Sequence, residues 1–223
     1  MYNVFLGIGH GGKDPGAVYG SLKEKTINLQ IGLACRSELV RHGVGVVMSR
    51  TTDENDPVSE EVKEANACNC DLAFDIHVNA GGGDGFEAFC NKENEDGVRL
   101  AKLCEKYVRE IGQNSRGIKD GMHLRFINGT NMTAVLTECA FIDNTKDNKI
   151  IDTLAEQQKL GVAYAKAILE YFGIKYKEKE TPKKETTAEK LYYVKCGAYK
   201  EKANADKMVK KLKAAGFDAY ITT

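Results

Sequence analysis

Short apolar runs alternate with amphipathic helical stretches along most of this chain, and that alternation restricts it to a layered α/β fold. Val4 to Ile8 reads as a buried strand, and Gly9 to Gly20 as a glycine-rich loop. From Ser21 to about Arg41 the apolar positions Ile27, Ile31, Ala34 and Cys35, with Leu29, Leu33 and Val40, recur at helical spacing, and His42-Gly43 closes the helix. Further strands are expected at Val44–Met48, Leu72–Val78, Gly85–Cys90, Met122–Ile127 and Ala134–Cys139. Helices are expected at Ser59–Asn69, Asp96–Ile111 and Leu154–Phe172. The result is a mixed, mainly parallel central sheet flanked by helices, with functional side chains gathered at one end of its strands.

This main domain spans residues 1–174. Residues 175–190 are rich in Lys, Glu and Thr, the composition of a solvated linker. Beyond it, Leu191–Cys196, Ala203–Ala215 and Ala219–Thr222 read as a small β-α-β piece. That piece is too short to bury a good core alone, so it is expected to pair with another copy, another chain or the main domain.

Charge narrows the partners. Lys plus Arg equals Asp plus Glu, at 32 each in 223 residues, which gives no electrostatic reason to expect nucleic acid or an anionic membrane. No stretch approaches the roughly 20 apolar residues of a membrane span. The N-terminus lacks the basic flank and long apolar run of a signal peptide, so the protein is expected in the cytoplasm until another agent releases it. The seven cysteines are scattered without a CxxC pair and most read as small buried hydrophobes; Cys68-Asn69-Cys70 is the only close pair and does not match half of a structural zinc site.

Gly7-Ile8-Gly9-His10-Gly11-Gly12 satisfies G-x-G-x-x-G after a strand, but the turn sequence Lys13-Asp14-Pro15-Gly16 follows where a dinucleotide site needs a helix. A P-loop fails too, because Asp14 stands where a magnesium-binding hydroxyl belongs. The loop instead presents His10 at the tip of the first strand, with glycines leaving space around it.

A hydrolytic zinc ion needs three protein ligands and one open position, and two histidines with one glutamate is a known set. Of the four histidines, His10 and His77 end strands that emerge at one sheet edge if they are parallel neighbours. His42 lies in the last turn of a helix, where it interacts with the helix dipole. His123 begins a strand and is a spare candidate. Glu24 starts the helix after the loop; Ser21-Leu22-Lys23-Glu24 is also a capping box, so capping and ligation both remain open. Glu138 ends the apolar run Ala134-Val135-Leu136-Thr137, where a carboxylate is costly unless it is paired or catalytic.

Taken in order, several segments carry a resemblance. They are Gly9 to Ala17, Glu24-Lys25 with Asn28-Leu29, Ser49-Arg50-Thr51, Ala65-Asn66, Ile76-His77-Val78-Asn79-Ala80, and Val135-Leu136-Thr137-Glu138 with Phe141-Ile142 and Asn144. The set resembles the zinc-dependent N-acetylmuramoyl-L-alanine amidases of the amidase-3 type over about residues 1–173. The resemblance implies that His10, Glu24 and His77 bind zinc and that Glu138 is catalytic. The family usually has serine where Asp75 stands; Asp75 shares a strand face with His77 and could support it. Residues 191–223, with Tyr192 to Tyr199 and Ala214-Ala215-Gly216-Phe217, resemble one half of a SPOR-type peptidoglycan-binding module, and self-association through it is one expectation. The whole arrangement is similar to phage endolysins and to mother-cell lytic amidases of sporulating bacteria.

The implied activity is cleavage of the amide between N-acetylmuramic acid and L-alanine in peptidoglycan. Another zinc amidohydrolase (a peptidase or deacetylase) and a non-catalytic wall-binding protein are the alternatives.

Overall fold

In a computed structural model, which describes residues 1–179, 196–217 and 219–221, the chain forms two units, Met1–Glu178 and Lys179–Thr223. The first unit contains, in order, β1 (Asn3–Ile8), β2 (Val18–Tyr19), β3 (Leu22–Lys23), α1 (Glu24–Arg41), β4 (Gly45–Met48), α2 (Val58–Ala67) and β5 (Leu72–Asn79). It continues with β6 (Phe86–Cys90), α3 (Glu95–Glu110), β7 (Ser115–Asp120), α4 (Arg125–Gly129), β8 (Thr133–Phe141), α5 (Asn148–Ile151) and α6 (Leu154–Tyr171).

Six strands form one sheet in the order β4-β1-β5-β8-β6-β7. β4, β1, β5 and β8 run parallel; β6 lies antiparallel to β8 and carries β7 parallel to itself. Both faces are covered, as a largely parallel sheet requires. On one face α1, α3 and α6 set Ile27, Ile31 and Leu39, Leu100 and Cys104, and Leu160, Tyr164 and Ile168 against Leu6, Phe74 and Val135. On the other, α2 and α4 pack Val62, Ala65, Phe126 and Ile127 on Phe5, Ala73 and Leu136.

Three local expectations are corrected. The first helix starts at Glu24 rather than Ser21, because Val18–Tyr19 and Leu22–Lys23 pair as a hairpin whose two-residue turn is Gly20-Ser21. Lys23 is its N-cap, without a side-chain cap bond, so the capping box does not form. Met122–Ile127 is not a strand: 125–129 is helix α4, and the strand lies earlier, at Ser115–Asp120. Cys68 and Cys70 share a disulfide, whereas Cys35, Cys90, Cys104 and Cys139 are buried free thiols.

Residues 175–179 have no regular secondary structure, but Tyr176 stacks on His42 and donates to Glu38. In the second unit the described residues contain helix α7 (Lys202–Ala214). The expected strand at Leu191–Cys196 lies outside the described residues apart from Cys196. Ala219, Tyr220 and Ile221 show no strand, and Thr222 is outside the description. Among the described residues no helix is long and apolar enough to cross a membrane.

Candidate metal centre and active site

The chain reverses at the ends of β1 and β5, and this is where the site is built. β1 and β5 are paired from Val4–Leu72 to Ile8–Ile76, so His10, just past β1, and His77, near the end of β5, emerge at one sheet edge. His10 adopts φ 64°, a left-handed conformation unfavourable for a side-chain-bearing residue and found where surrounding contacts enforce it. A side chain at Gly9 would overlap the His77 ring, and one at Gly16 would strike both Glu24 and His10. The glycines therefore admit the two imidazoles to one place.

Glu24 completes the cluster from the first residue of α1. It is buried, and Asn28, one turn further along α1, donates to its Oε1 at 3.4 Å. Oε1 lies 3.0 Å from His77 Nδ1 and Oε2 lies 3.2 Å from His10 Nε2. The backbone amides of Ala17 and Val78 donate to the same carboxylate at 2.8 and 3.0 Å. Burial alone would raise the Glu24 carboxyl, but bonding to His10 and His77 outweighs it and holds the group well below the usual carboxylate range.

Each imidazole uses its other nitrogen on an outer carboxylate. His10 Nδ1 donates to Asp14 at 2.8 Å, and His77 Nε2 donates to Asp75 at 3.2 Å. Bonding to Glu24 raises His10 above its ordinary value against the opposing effect of burial. Burial would lower His77, but Asp75 and Glu24 together hold it well above that value.

These residues fit a divalent transition metal. Ligand atoms of His10, Glu24 and His77 all lie within 4.8 Å of one another. His77 Nδ1 and His10 Nε2 lie 3.0 and 3.2 Å from the two Glu24 carboxylate oxygens, close to the edge of about 3.3 Å of a tetrahedron with zinc–ligand bonds of 2.0–2.1 Å. Outer carboxylates on the second nitrogen of each histidine are the usual way such ligands are oriented. Asp14 was invisible to sequence reasoning as a supporting group, because it sits in a turn whose composition accounts for it without further role.

Glu138 leaves β8 opposite His77, in register. Its Oε2 is buried and has no hydrogen-bond partner. Its carboxyl is pushed up to about 8, first by burial, opposed by His77 and reinforced by the charges of Glu24, Asp75 and Glu87. A carboxyl in that range can both take and return a proton near neutral pH.

The remaining histidines stand apart from this cluster. His42 is the C-cap of α1; its Nδ1 donates to the Glu38 carbonyl at 2.7 Å and its Nε2 accepts from the Lys177 amide at 2.9 Å. His123 is exposed in the turn before α4, edge-on to Phe89.

A buried cation holds the site in shape. Arg50 donates to the backbone carbonyls of Ile8, Gly9, Thr52 and Lys25 at 2.7–3.3 Å. It ties the glycine loop to the first turn of α1, so the segments bearing His10 and Glu24 keep a fixed spacing. Asn28 adds a bond from its side chain to the Gly9 carbonyl at 3.1 Å.

Comparison with known proteins places the sequence and the fold. Residues 4–170 match the amidase-3 family model, described as N-acetylmuramoyl-L-alanine amidase, and residues 188–223 match the SPOR domain model. The chain is 33% identical to the sporulation-specific N-acetylmuramoyl-L-alanine amidase of Bacillus subtilis, over 99% of this chain and 84% of that protein. It is 33% identical to the endolysin of Bacillus phage SPP1, over 82% of this chain and 70% of that protein. Among solved structures, the catalytic domain of the amidase CwlV from Bacillus (Paenibacillus) polymyxa superimposes with a TM-score of 0.73 at 30% identity, covering 78% of this chain and all of that one. With three quarters of its length matched by one family model and that fold reproduced around the histidine–glutamate cluster, this chain belongs to the amidase-3 family of N-acetylmuramoyl-L-alanine amidases.

Proposed function

We propose that this protein hydrolyses the amide between the lactyl group of N-acetylmuramic acid and L-alanine in peptidoglycan, with zinc held by His10, Glu24 and His77. The observation that carries this reading is the convergence of those three side chains beside a buried, unpartnered oxygen of Glu138. When bound, zinc supplies Lewis-acid polarisation and lowers the pKa of water at the site. Glu138 takes a proton from the attacking water and returns it to the leaving amine of L-alanine, so the amine departs neutral. Asp14 and Asp75 accept from the outer imidazole nitrogens and orient His10 and His77, so the nitrogens facing Glu24 are those that would hold the ion. The C-terminal SPOR segment retains the enzyme on its wall substrate.

The test is mass spectrometry of purified cell walls digested by the zinc-loaded protein. Amidase action frees peptides that begin with L-alanine and leaves the glycan strands intact. Release of deacetylated sugars, or of peptides cut internally, would assign the site to another amidohydrolase. Wall binding without any products would make it a binding protein.

A further inference from the structure

Two cations on the edge strand β7 meet the carboxylate that stands opposite the proposed catalytic glutamate, without a role in the chemistry described above. Glu87 on β6 is directly opposite Glu138 on β8 and is 3% exposed. Its Oε1 accepts from Arg116 Nε at 2.5 Å and from Lys119 Nζ, both on edge strand β7. Its Oε2 accepts from Asn79 at 3.1 Å, two residues beyond His77 on β5. The buried carboxylate thus anchors a pair of cations whose side chains remain 45% and 39% exposed.

The charge does not cancel. One carboxylate, Glu87, faces two cations, leaving an excess positive charge on β7, beyond the carboxylates Glu24 and Glu138. Arg116 commits its Nε–H to Glu87, and the rest of its guanidinium is available; an ammonium has three donors, of which Lys119 commits one. Among the described residues neither cation is paired with a second carboxylate. The Arg116 guanidinium also lies over the Phe141 ring, at 5.3 Å, and the Lys119 ammonium over Phe89, at 5.8 Å, which limits where they can swing.

Distance selects the ligand group. Neighbouring strands are about 4.8 Å apart, so groups on β7 lie two strand spacings, roughly 10 Å, from Glu138 on β8 before their side chains lean inward to Glu87. An extended peptide advances about 3.5 Å per residue. Counting from the scissile carbonyl through L-alanine, a carboxylate on the second stem residue lies about 7 Å away. In the stem that residue is a γ-linked D-glutamyl unit, whose α-carboxylate is free unless it has been amidated.

We propose that Arg116 and Lys119, fixed by Glu87 and Asn79, form an anion subsite that binds the free α-carboxylate of the second stem residue and makes the enzyme discriminate against amidated stems. This rests on the amidase reading above. A planar guanidinium and an ammonium together recognise a carboxylate, and a neutral carboxamide leaves them unpaired.

The experiment compares kcat/KM of the zinc-loaded full-length protein on two disaccharide-tetrapeptides that differ only in carboxylate or carboxamide at the second residue. Wild type is expected to prefer the carboxylate by about 10-fold or more, through KM, with the preference shrinking at high salt. In Lys119→Gln and in Arg116→Gln the preference should fall to within about 3-fold, while cleavage of the amidated substrate stays near wild type. Equal wild-type rates on the two substrates overturn the subsite and leave the amidase reading standing. Equal loss on both substrates in the two variants also overturns it, since the cations would then serve only the fold. Failure of wild type to cut either substrate at the lactyl amide overturns the amidase reading and the subsite with it.

Discussion

His77 and Glu138 stand opposite each other on adjacent parallel strands, β5 and β8, so a metal-ligand candidate and an acid–base candidate leave the same face of the sheet one strand apart. The sheet itself sets their spacing, and no loop movement is needed to bring them together. Glu138 can therefore be changed without touching the cluster of His10, Glu24 and His77. Glu138→Gln should lower kcat by about 10²- to 10⁴-fold while zinc content stays at one ion per chain. Elemental analysis beside wall-hydrolysis kinetics checks both halves. Near-normal turnover in this variant would remove Glu138 from the mechanism.

The outer carboxylates make a second, separable prediction. Asp14→Asn and Asp75→Asn should each weaken zinc binding about 10- to 100-fold, because an amide supports the imidazole ligand less strongly than a carboxylate. Competition against a chromophoric chelator measures this without recourse to activity. Unchanged affinity in both variants would reduce these contacts to incidental packing.

Zinc binding should release protons. Glu24 raises His10, and Asp75 with Glu24 raises His77 against its burial, so the zinc-free site holds protons on its imidazoles above their ordinary range. Metal requires those nitrogens free. Affinity should then climb with pH through the range above about 6.5, with about one to two protons released per ion. Calorimetry in buffers of different ionisation enthalpy counts them. A pH-independent affinity would mean the imidazoles are already neutral or are not ligands.

Much of this was legible in the sequence, for reasons that differ from element to element. β1, β5 and β8 are buried apolar runs, so their pattern survives in one dimension, and with it the placement of His10 just past β1 and His77 near the end of β5; β8 runs on to Phe141, which puts Glu138 inside the strand rather than at its end. β7 was missed because it is an edge strand whose residues Arg116 and Lys119 are half exposed, which leaves no apolar alternation to read. Met122, Leu124 and Phe126 alternate like a strand but belong to a turn and a five-residue helix, with Phe126 and Ile127 buried under α2. Glu24 was ambiguous because a capping box and a ligand place glutamate at the same spot; only the Gly20-Ser21 hairpin turn, a tertiary feature, excludes capping.

Glu61 offers a test of the acidic ground behind the site. It is buried on α2, accepts from Ser49 at 3.2 Å and faces Asp56 and Asp75. Burial, then the charges of Asp75 and Asp56, push its carboxyl up to about 9. The folded state thus holds a proton that the unfolded chain gives up near pH 4.5. Stability from this group is complete below that value and is lost as pH rises toward 9. Glu61→Gln keeps the shape and a donor toward Asp56 but has no proton to lose. Relative to wild type it should be stabilising at pH 8, by about 1 kcal/mol or more, roughly 2–4 °C in Tm, and near neutral at pH 4. Thermal unfolding of the zinc-free protein at the two pH values measures the difference. A gain of the same size at both would show that Glu61 is ionised in the fold, and the proton would have to reside elsewhere among Asp56, Glu61 and Asp75.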